Sequence, residues 1–310
     1  MALILVTGGA GFIGSHLVAA LLQNGHSVRV LDNLSAGKLE NLAGFREDIE
    51  FIEGDIRDDK TVHTAVHGID SIVHEAALVS VAISVREPIR TEETNVLATL
   101  KLLIAARDAG ARRFVFASSA AVYGSSPELP KRETMTPYPN SPYGLSKLAM
   151  EHYARIFTEL YGLETVGLRY FNVLGPRQDP SSEYSGVIAK FVTTMLRGIA
   201  PTLYGDGLQT RDFVHVRNVV KANLLALSAP MSGGVFNVAT GQSHTLLDLT
   251  ATLNGILGTD FKPVFAPARH GDIKYSEADI SLIRNYGYEP VVDFETGLAD
   301  TVQWYRDHAL

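Results

Sequence analysis

An apolar run from Leu3 to Thr7 stops on a cluster of glycines, Gly8, Gly9, Gly11 and Gly14, and a helical pattern from Ile13 to Gln23 follows at once. A strand that turns into a helix over so few residues needs glycine for the tight turn and for close helix–strand packing. The same alternation continues through the first half of the chain. Short apolar runs at Val28 to Leu31, Ile49 to Glu53, Ser71 to His74, Phe114 to Ala117 and Thr165 to Leu168 are separated by helix-like stretches at Thr61 to Val66, Asn95 to Ala109 and Tyr143 to Tyr161. Strand–helix alternation of this length predicts an α/β fold, a doubly wound parallel sheet with helices on both faces. The strands show little period-2 polarity, as expected where both sheet faces are buried.

Gly9-Ala10-Gly11-Phe12-Ile13-Gly14 has the spacing of a dinucleotide fingerprint, in which glycines admit a pyrophosphate to the backbone at a helix N-terminus. Asp32 closes the second strand 18 residues beyond Gly14. A carboxylate there accepts from ribose hydroxyls and repels a 2′-phosphate, while Asn33, Leu34 and Ser35 offer no arginine to attract one, so the pattern predicts a Rossmann-type domain that binds NAD rather than NADP. Asp55 and Ile56, after the third strand, are placed to hold the adenine, although an exposed strand-end aspartate reads equally well.

After Arg169 the texture changes. Residues 172 to 210 carry Gly, Pro and Ser clusters around one helix, Val187 to Leu196, and a strand–helix–strand signal returns at Phe213 to Val216, Val219 to Leu227 and Val235 to Val238. These shifts predict a discontinuous layout, with a sheet domain from 1–171 and 212–239 and a smaller C-terminal substrate lobe from 172–211 and 240–310. Internal repeats and low-complexity tracts are absent.

The 27 basic and 34 acidic residues give a formal charge of -7, which leaves no general footprint for nucleic acid or an anionic membrane. The chain has no cysteine, so thiolate nucleophiles and Cys-ligated zinc are excluded and a reducing, cytoplasmic setting is expected. Ala2 to Val6 is apolar but has no charged leader and is broken by Gly8, so it reads as a first strand rather than a targeting segment.

Tyr143 and Lys147 lie one helical turn apart on one face. A phenol titrates near ~10, so its use as a base near neutrality asks for a shift of about 3 units, roughly 4 kcal/mol of phenolate stabilisation. A neighbouring ammonium and a positively charged nicotinamide are the sources expected. Ser118 and Ser119 end a strand, where ligands sit in open α/β sheets; Ser119 is placed to donate to a substrate oxygen or to make a loop hydrogen bond. The ten histidines show no metal spacing, His16 and His74 read as packing or local hydrogen-bond groups, and no metal site is expected.

These residues resemble the extended short-chain dehydrogenase/reductases, and within them the nucleotide-sugar 4-epimerases. The resemblance is carried by TGGAGFIG at 7–14, Asp32-Asn33, Asp55-Ile56, HEAA at 74–77, SSAAVYG at 118–124, SPYGLSK at 141–147, RYFNVLGPRQDP at 169–180, RDFVHV at 211–216 and Gly271-Asp272, nearly the full length. It implies NAD contacts at Gly8, Gly11, Phe12, Ile13, Gly14, Asp32, Asn33, Asp55, Ile56 and Ala76. It further implies Tyr143 as the base, Lys147 on the nicotinamide ribose and Ser119 on the reacting 4-oxygen. Asn172 and Arg211 would then contact the diphosphate side of a UDP-sugar, Tyr204 the uracil, Arg269 and Asp272 phosphate and ribose, and Gly186, Val187 and Ser276 the sugar pocket. Arg211 and Arg269 also read as ion-pair residues, and Ser276 as a loop residue near a helix start.

Departures from the family sharpen the reading. Related dehydratases carry an acidic pair directly after position 119 and related decarboxylases carry Glu at 121; Ala120 and Ala121 supply no such group, which leaves oxidation and reduction at C4. Val79 stands where UDP-galactose 4-epimerases often present Lys, and Ser276 is small where a Tyr would exclude a 2-acetamido group. The expectation is NAD-dependent 4-epimerisation of UDP-hexoses through a 4-keto intermediate, acetamido sugars included, by a homodimer. UDP-glucuronate 4-epimerisation and a catalytically silent NAD-binding sensor or scaffold are the alternatives.

Overall fold

The computed structural model describes residues 1–180, 186–268 and 274–308. Six early strands, β1 (Leu3–Thr7), β2 (Ser27–Asp32), β3 (Ile49–Glu53), β4 (Ser71–His74), β5 (Arg113–Ser119) and β6 (Glu164–Tyr170), build the central sheet. They are joined by a late strand, β10 (Gly234–Val238), in the order β3-β2-β1-β4-β5-β6-β10. Every pairing is parallel. Strand order therefore reverses between β1 and β4, and the crevice that opens there at the strand C-termini is the ligand position of such sheets.

Alternate side chains of these strands serve two cores. Leu5, Leu31, Ile72 and Phe114 pack with α2 (Asp59–Val66), α5 (Ala98–Asp108) and α6 (Pro142–Tyr161) on one face. Ile4, Val6, Val28, Val30 and Val73 meet α1 (Phe12–Gln23) and α8 (Val216–Ser228) on the other. Burial on both faces explains why these strands lack a polar period. The stretch before α5 is a run of α3 (Val81–Arg86), α4 (Pro88–Glu92) and a π-helical turn, Glu93–Leu97, where the expected helix begins. Asn95 occupies that turn because its side chain donates to the carbonyl of Leu78 at 2.9 Å and accepts from the Leu78 N–H at 2.8 Å.

The smaller lobe is made of short pieces. β7 (Asn172–Leu174), β9 (Thr210–His215) and β11 (Ser243–Thr245) form a three-stranded sheet, and β8 (Thr202–Tyr204) pairs with β12 (Val264–Ala266). α7 (Val187–Leu196), α9 (Leu246–Leu257) and α11 (Phe294–His308) close over Leu174, Leu203 and Phe213, while α10 (Ser281–Arg284) packs against β10. The strand expected to open the return to the sheet domain, Phe213 to Val216, instead runs from Thr210 to His215 within the lobe sheet. The reason is Asp212, whose carboxylate accepts from the N–H groups of Thr240 and Gly241 at 2.9 Å each and fastens β9 to the turn after β10. α8 and β10 rejoin the main sheet.

Behind β5 and β6 lies a buried ion pair. Arg169 donates to both Glu151 oxygens at 2.8 and 2.7 Å, Ser118 donates to Glu151 at 2.5 Å, and Arg169 also reaches the Tyr123 hydroxyl, which donates to Asn237. The network ties β5, β6, α6 and β10 together. Arg169→Met leaves the Glu151 carboxylate buried without its partner, so chemical denaturation should show a loss of about 3–5 kcal/mol.

Candidate active site

The crevice at the reversal point is a cleft of about 1550 Å³ that runs from Asp32 past Gly8 and Ser119 to Gly186. That exceeds the ~300–1,000 Å³ of an ordinary small-molecule pocket and leaves room for two nucleotide-sized ligands. Its floor begins with the glycine turn. Gly8 takes φ +68° with its Cα against the backbone of Glu75 and Ala76, and a methyl group on Gly14 would stand 2.1 Å from the Gly8 carbonyl oxygen. Gly11 caps α1, so the first N–H groups of that helix face the cleft.

Asp32 accepts from the N–H of Ala10 at 2.9 Å and of Leu34 at 2.8 Å, which fixes its carboxyl at the end of β2, and burial pushes its pKa upward. Asn33 donates to Asp55 at 2.8 Å. Asp55 is also bracketed by Arg57, whose hydrogen bonds hold it well below the usual carboxylate range, and Ile56 is buried beside it. Gly8, Gly11, Phe12, Ile13, Gly14, Asp32, Asn33, Asp55, Ile56 and Ala76 all line this end. A glycine cradle at a helix N-terminus with a strand-end carboxylate fits the pyrophosphate and ribose of a dinucleotide.

Ser119, Tyr143 and Lys147 line the next stretch of wall. α6 starts where the Ser141 side chain accepts from the Gly144 N–H at 3.1 Å, and this cap aims Tyr143 at the cleft. Lys147 is 2% exposed, donates to the Ala117 carbonyl at 2.8 Å and lies 5.9 Å from the centre of the Tyr143 ring. Burial brings its pKa down to about 8, against the opposing pull of Glu75 and Glu151. Tyr143 is pushed up, not down, by burial and by Glu75, with only the Ser119 hydrogen bond acting the other way. The protein by itself thus favours the protonated phenol, and a positive charge brought by a ligand would act the other way.

Asn172, Gly186 and Val187 form the lobe side of the cleft, Gly186 as the residue before α7 and Asn172 donating to the Asp212 carbonyl at 3.3 Å. Tyr204, Arg211 and Ser276 are not part of this wall. Ser276 and Arg211 meet Thr210 instead: the Ser276 N–H donates to its hydroxyl at 3.3 Å and Arg211 donates to its carbonyl at 2.8 Å, while Tyr204 ends β8. Arg269 and Asp272 lie outside the described residues. His16 and His74 are hydrogen-bonded packing groups, His16 to the Pro176 carbonyl and His74 between Thr7 and Thr99. Burial lowers both, to about 4 and about 3, so both are neutral.

Among the cleft residues to which the sequence assigned no role are Glu75 and Arg177. Glu75 faces the catalytic stretch and accepts from the Tyr170 hydroxyl at 2.7 Å; its signals were its place in the HEAA motif and directly after a strand. Arg177 adopts φ +68° in the wall, its guanidinium 5.8 Å from the Phe45 ring, and its signal was its place in the motif at 169–180.

Residues 4–239 match the model of the NAD dependent epimerase/dehydratase family. The structure superimposes with a TM-score of 0.95 on a UDP-N-acetylglucosamine 4-epimerase from Methanobrevibacter ruminantium in complex with UDP-N-acetylmuramic acid, 42% identical over 99% of this chain and 98% of that one. A Thermus thermophilus UDP-glucose 4-epimerase in complex with NAD gives a TM-score of 0.91 at 41% identity, covering 99% and 100%. A UDP-glucose 4-epimerase of Mycolicibacterium smegmatis is 42% identical over 98% of each chain. Gly14→Ala should drive α1 away from the glycine turn and weaken dinucleotide binding at least ~10-fold, about 1.4 kcal/mol. Assay of the supernatant after acid denaturation should then find the variant depleted of NAD relative to the parent protein.

Proposed function

Since the chain belongs to the NAD dependent epimerase/dehydratase family, we propose that it interconverts UDP-hexoses epimeric at C4, through a 4-keto sugar and without net redox change. The observation that carries this reading is the meeting of Ser119, Tyr143 and Lys147 in the wall of a dinucleotide cleft, followed by two apolar residues, Ala120 and Ala121. Bound NAD would accept a hydride from the sugar carbon and return it. The chain's own work is to place, hold and exchange a proton. The glycine turn and Asp32 hold the dinucleotide, Lys147 grips its nicotinamide ribose, and Ser119 steadies the 4-oxygen. Tyr143 takes the 4-hydroxyl proton on the way to the ketone and gives it back afterwards. Positions 120 and 121 supply no acid to expel water or to assist loss of a carboxylate, so the ketone is reduced again, and return of the hydride to the opposite face of the turned sugar gives the epimer.

In this reading residues 1–171 with 216–239 hold NAD, and 172–215 with 240–310 hold the UDP-sugar, the expected boundary at 212 shifting to 216 because β9 pairs in the lobe sheet. Gly186 and Val187 border the sugar, while Asn172, Tyr204, Arg211, Arg269 and Asp272 hold uridine diphosphate. For Tyr204 and Arg211 this requires the nucleotide to extend beyond the cleft wall. Ser276 lies outside the cleft wall beside Thr210, so a role at the sugar 2-position requires the substituent to reach past the wall; in that arrangement its small side chain leaves space for a 2-acetamido group, and UDP-N-acetylglucosamine and UDP-N-acetylgalactosamine should turn over beside the plain sugars. Val85, Ile89, Leu97, Leu145, Tyr153 and Leu160 are exposed along α3 to α6, an apolar face that supports a homodimer. The absence of cysteine supports a cytoplasmic setting.

A coupled assay over four UDP-sugars tests the reading, and failure to convert any of them overturns it. Tyr143→Phe should keep its NAD and its melting temperature while kcat falls ~10²–10⁴-fold. Ser276→Tyr should lose acetamido-sugar turnover selectively, because overlap costs more than a missing contact. An unchanged ratio of acetamido to plain activity would remove Ser276 from the pocket.

A further inference from the structure

The carboxyl of Glu75 is a titratable group in the catalytic stretch that the reaction above leaves unused. Its backbone N–H continues β4 by donating to the Thr7 carbonyl at 3.1 Å, and its half-buried side chain lines the cleft with Ser119, Tyr143 and Lys147. Tyr170 donates to Glu75 Oε1 at 2.7 Å, and Asn223 on α8 donates to the same phenolic oxygen at 2.8 Å. The carboxyl is therefore held through two links by a fully buried asparagine. Burial and Glu75 raise the Tyr170 phenol well above its ordinary value, so Tyr170 keeps its proton and acts as the donor.

We propose that Glu75 is a positioning residue for hydride transfer: its carboxylate, fixed by Tyr170 and Asn223, faces the positive ring of an oxidised nicotinamide seated against Tyr143 and Lys147, and so keeps the bound dinucleotide oxidised between turnovers. The inference rests on the epimerase reading. Reduction adds a hydride to the nicotinamide and removes its positive charge, while the sugar gives up that hydride from C4 and a proton to Tyr143. A nearby negative charge stabilises the oxidised form and not the reduced one. For an enzyme that must return every hydride, this disfavours the stranded state in which the keto sugar has departed and the cofactor stays reduced.

The groups that face Glu75 are Lys147 and Tyr143 from α6 and Tyr170 from β6, with His74 beside it on β4 held neutral. Burial, resisted by the Tyr170 hydrogen bond and Lys147, pushes Glu75 up to about 7. Its negative charge is thus present above that pH and lost as the pH falls through it. Lys147, brought down to about 8, remains cationic across that step.

The test is a dye-mediated redox titration of the dinucleotide bound to the holoenzyme, at pH 7.5 and pH 6, in the parent protein, Glu75→Gln and Glu75→Asp. At pH 7.5, Glu75→Gln should shift the bound cofactor at least tenfold toward the reduced form, a rise of about 30 mV in midpoint. At pH 6 the gap should close, and Glu75→Asp should stay near the parent. Tyr170→Phe, which keeps the carboxyl but deletes its donor, should shift the same way and replaces the glutamine variant if that one fails to fold. Equal midpoints at pH 7.5, or a gap undiminished at pH 6, overturn the proposal. The titration needs no sugar, so a protein that converts no UDP-hexose but shows the pH-dependent shift would refute the substrate reading and leave the role of Glu75 standing.

Discussion

The closeness of β1, α1 and β4 at the glycine turn is the constraint on which the rest depends. Gly14 has no room for a methyl group against the Gly8 carbonyl, and Gly8 has none against the backbone of Ala76. Three backbones meet there without side chains between them. Because β1 and β4 part at this point to opposite halves of the sheet, the contact defines the floor of the crevice and exposes the start of α1. Asp32, Ser119, Tyr143 and Asn172 come from four different segments, and what brings them to one cleft is the common direction of parallel strands whose C-terminal ends all rise on the same side.

Around that floor the protein favours neutral forms. Burial lowers Lys147 and His74 and raises Tyr143 and Glu75, so each is moved toward its uncharged state. Such a site is poised for charge that arrives with a ligand, since a cationic ring or an anionic diphosphate acts more strongly in a half-buried cleft than in water. Asp55 at the other end is the contrast, held ionised by Arg57. The charged pair that braces the structure borders this chemistry, since Glu151 also bears on Lys147. Arg169 and Glu151 are paired behind β5 and β6, where each satisfies the other.

The two lobes are joined by the chain itself at several places rather than by one hinge. β6 is followed after one residue by β7, and β9 runs directly into α8, so neighbouring residues serve different sheets. Tyr305 on α11 donates to the Gln178 carbonyl at 2.5 Å, and Lys38, from the main domain, pairs with Asp179 at 2.7 Å. The segment after β7 is therefore pinned to both lobes where it borders the cleft.

Short-range pattern was enough to determine much of this. β1, β3, β4 and α7 begin and end where hydrophobic runs and turn residues place them, because a strand buried on both faces or an amphipathic helix is specified by its own period. Gly14, Asp32, Ser119, Tyr143 and Lys147 were legible for the same reason: each stands at a fixed distance from the end of an element. What the tertiary structure alone decided were matters of long-range pairing. β9 reads as a strand wherever it lies, but the Asp212 clasp to residues 240 and 241 assigns it to the lobe sheet. Three-residue strands such as β7 and β8 carry too little period to be seen. Glu75 has meaning only beside Tyr170, 95 positions away, and Asn223, since a carboxyl takes its charge and direction from neighbours that folding supplies.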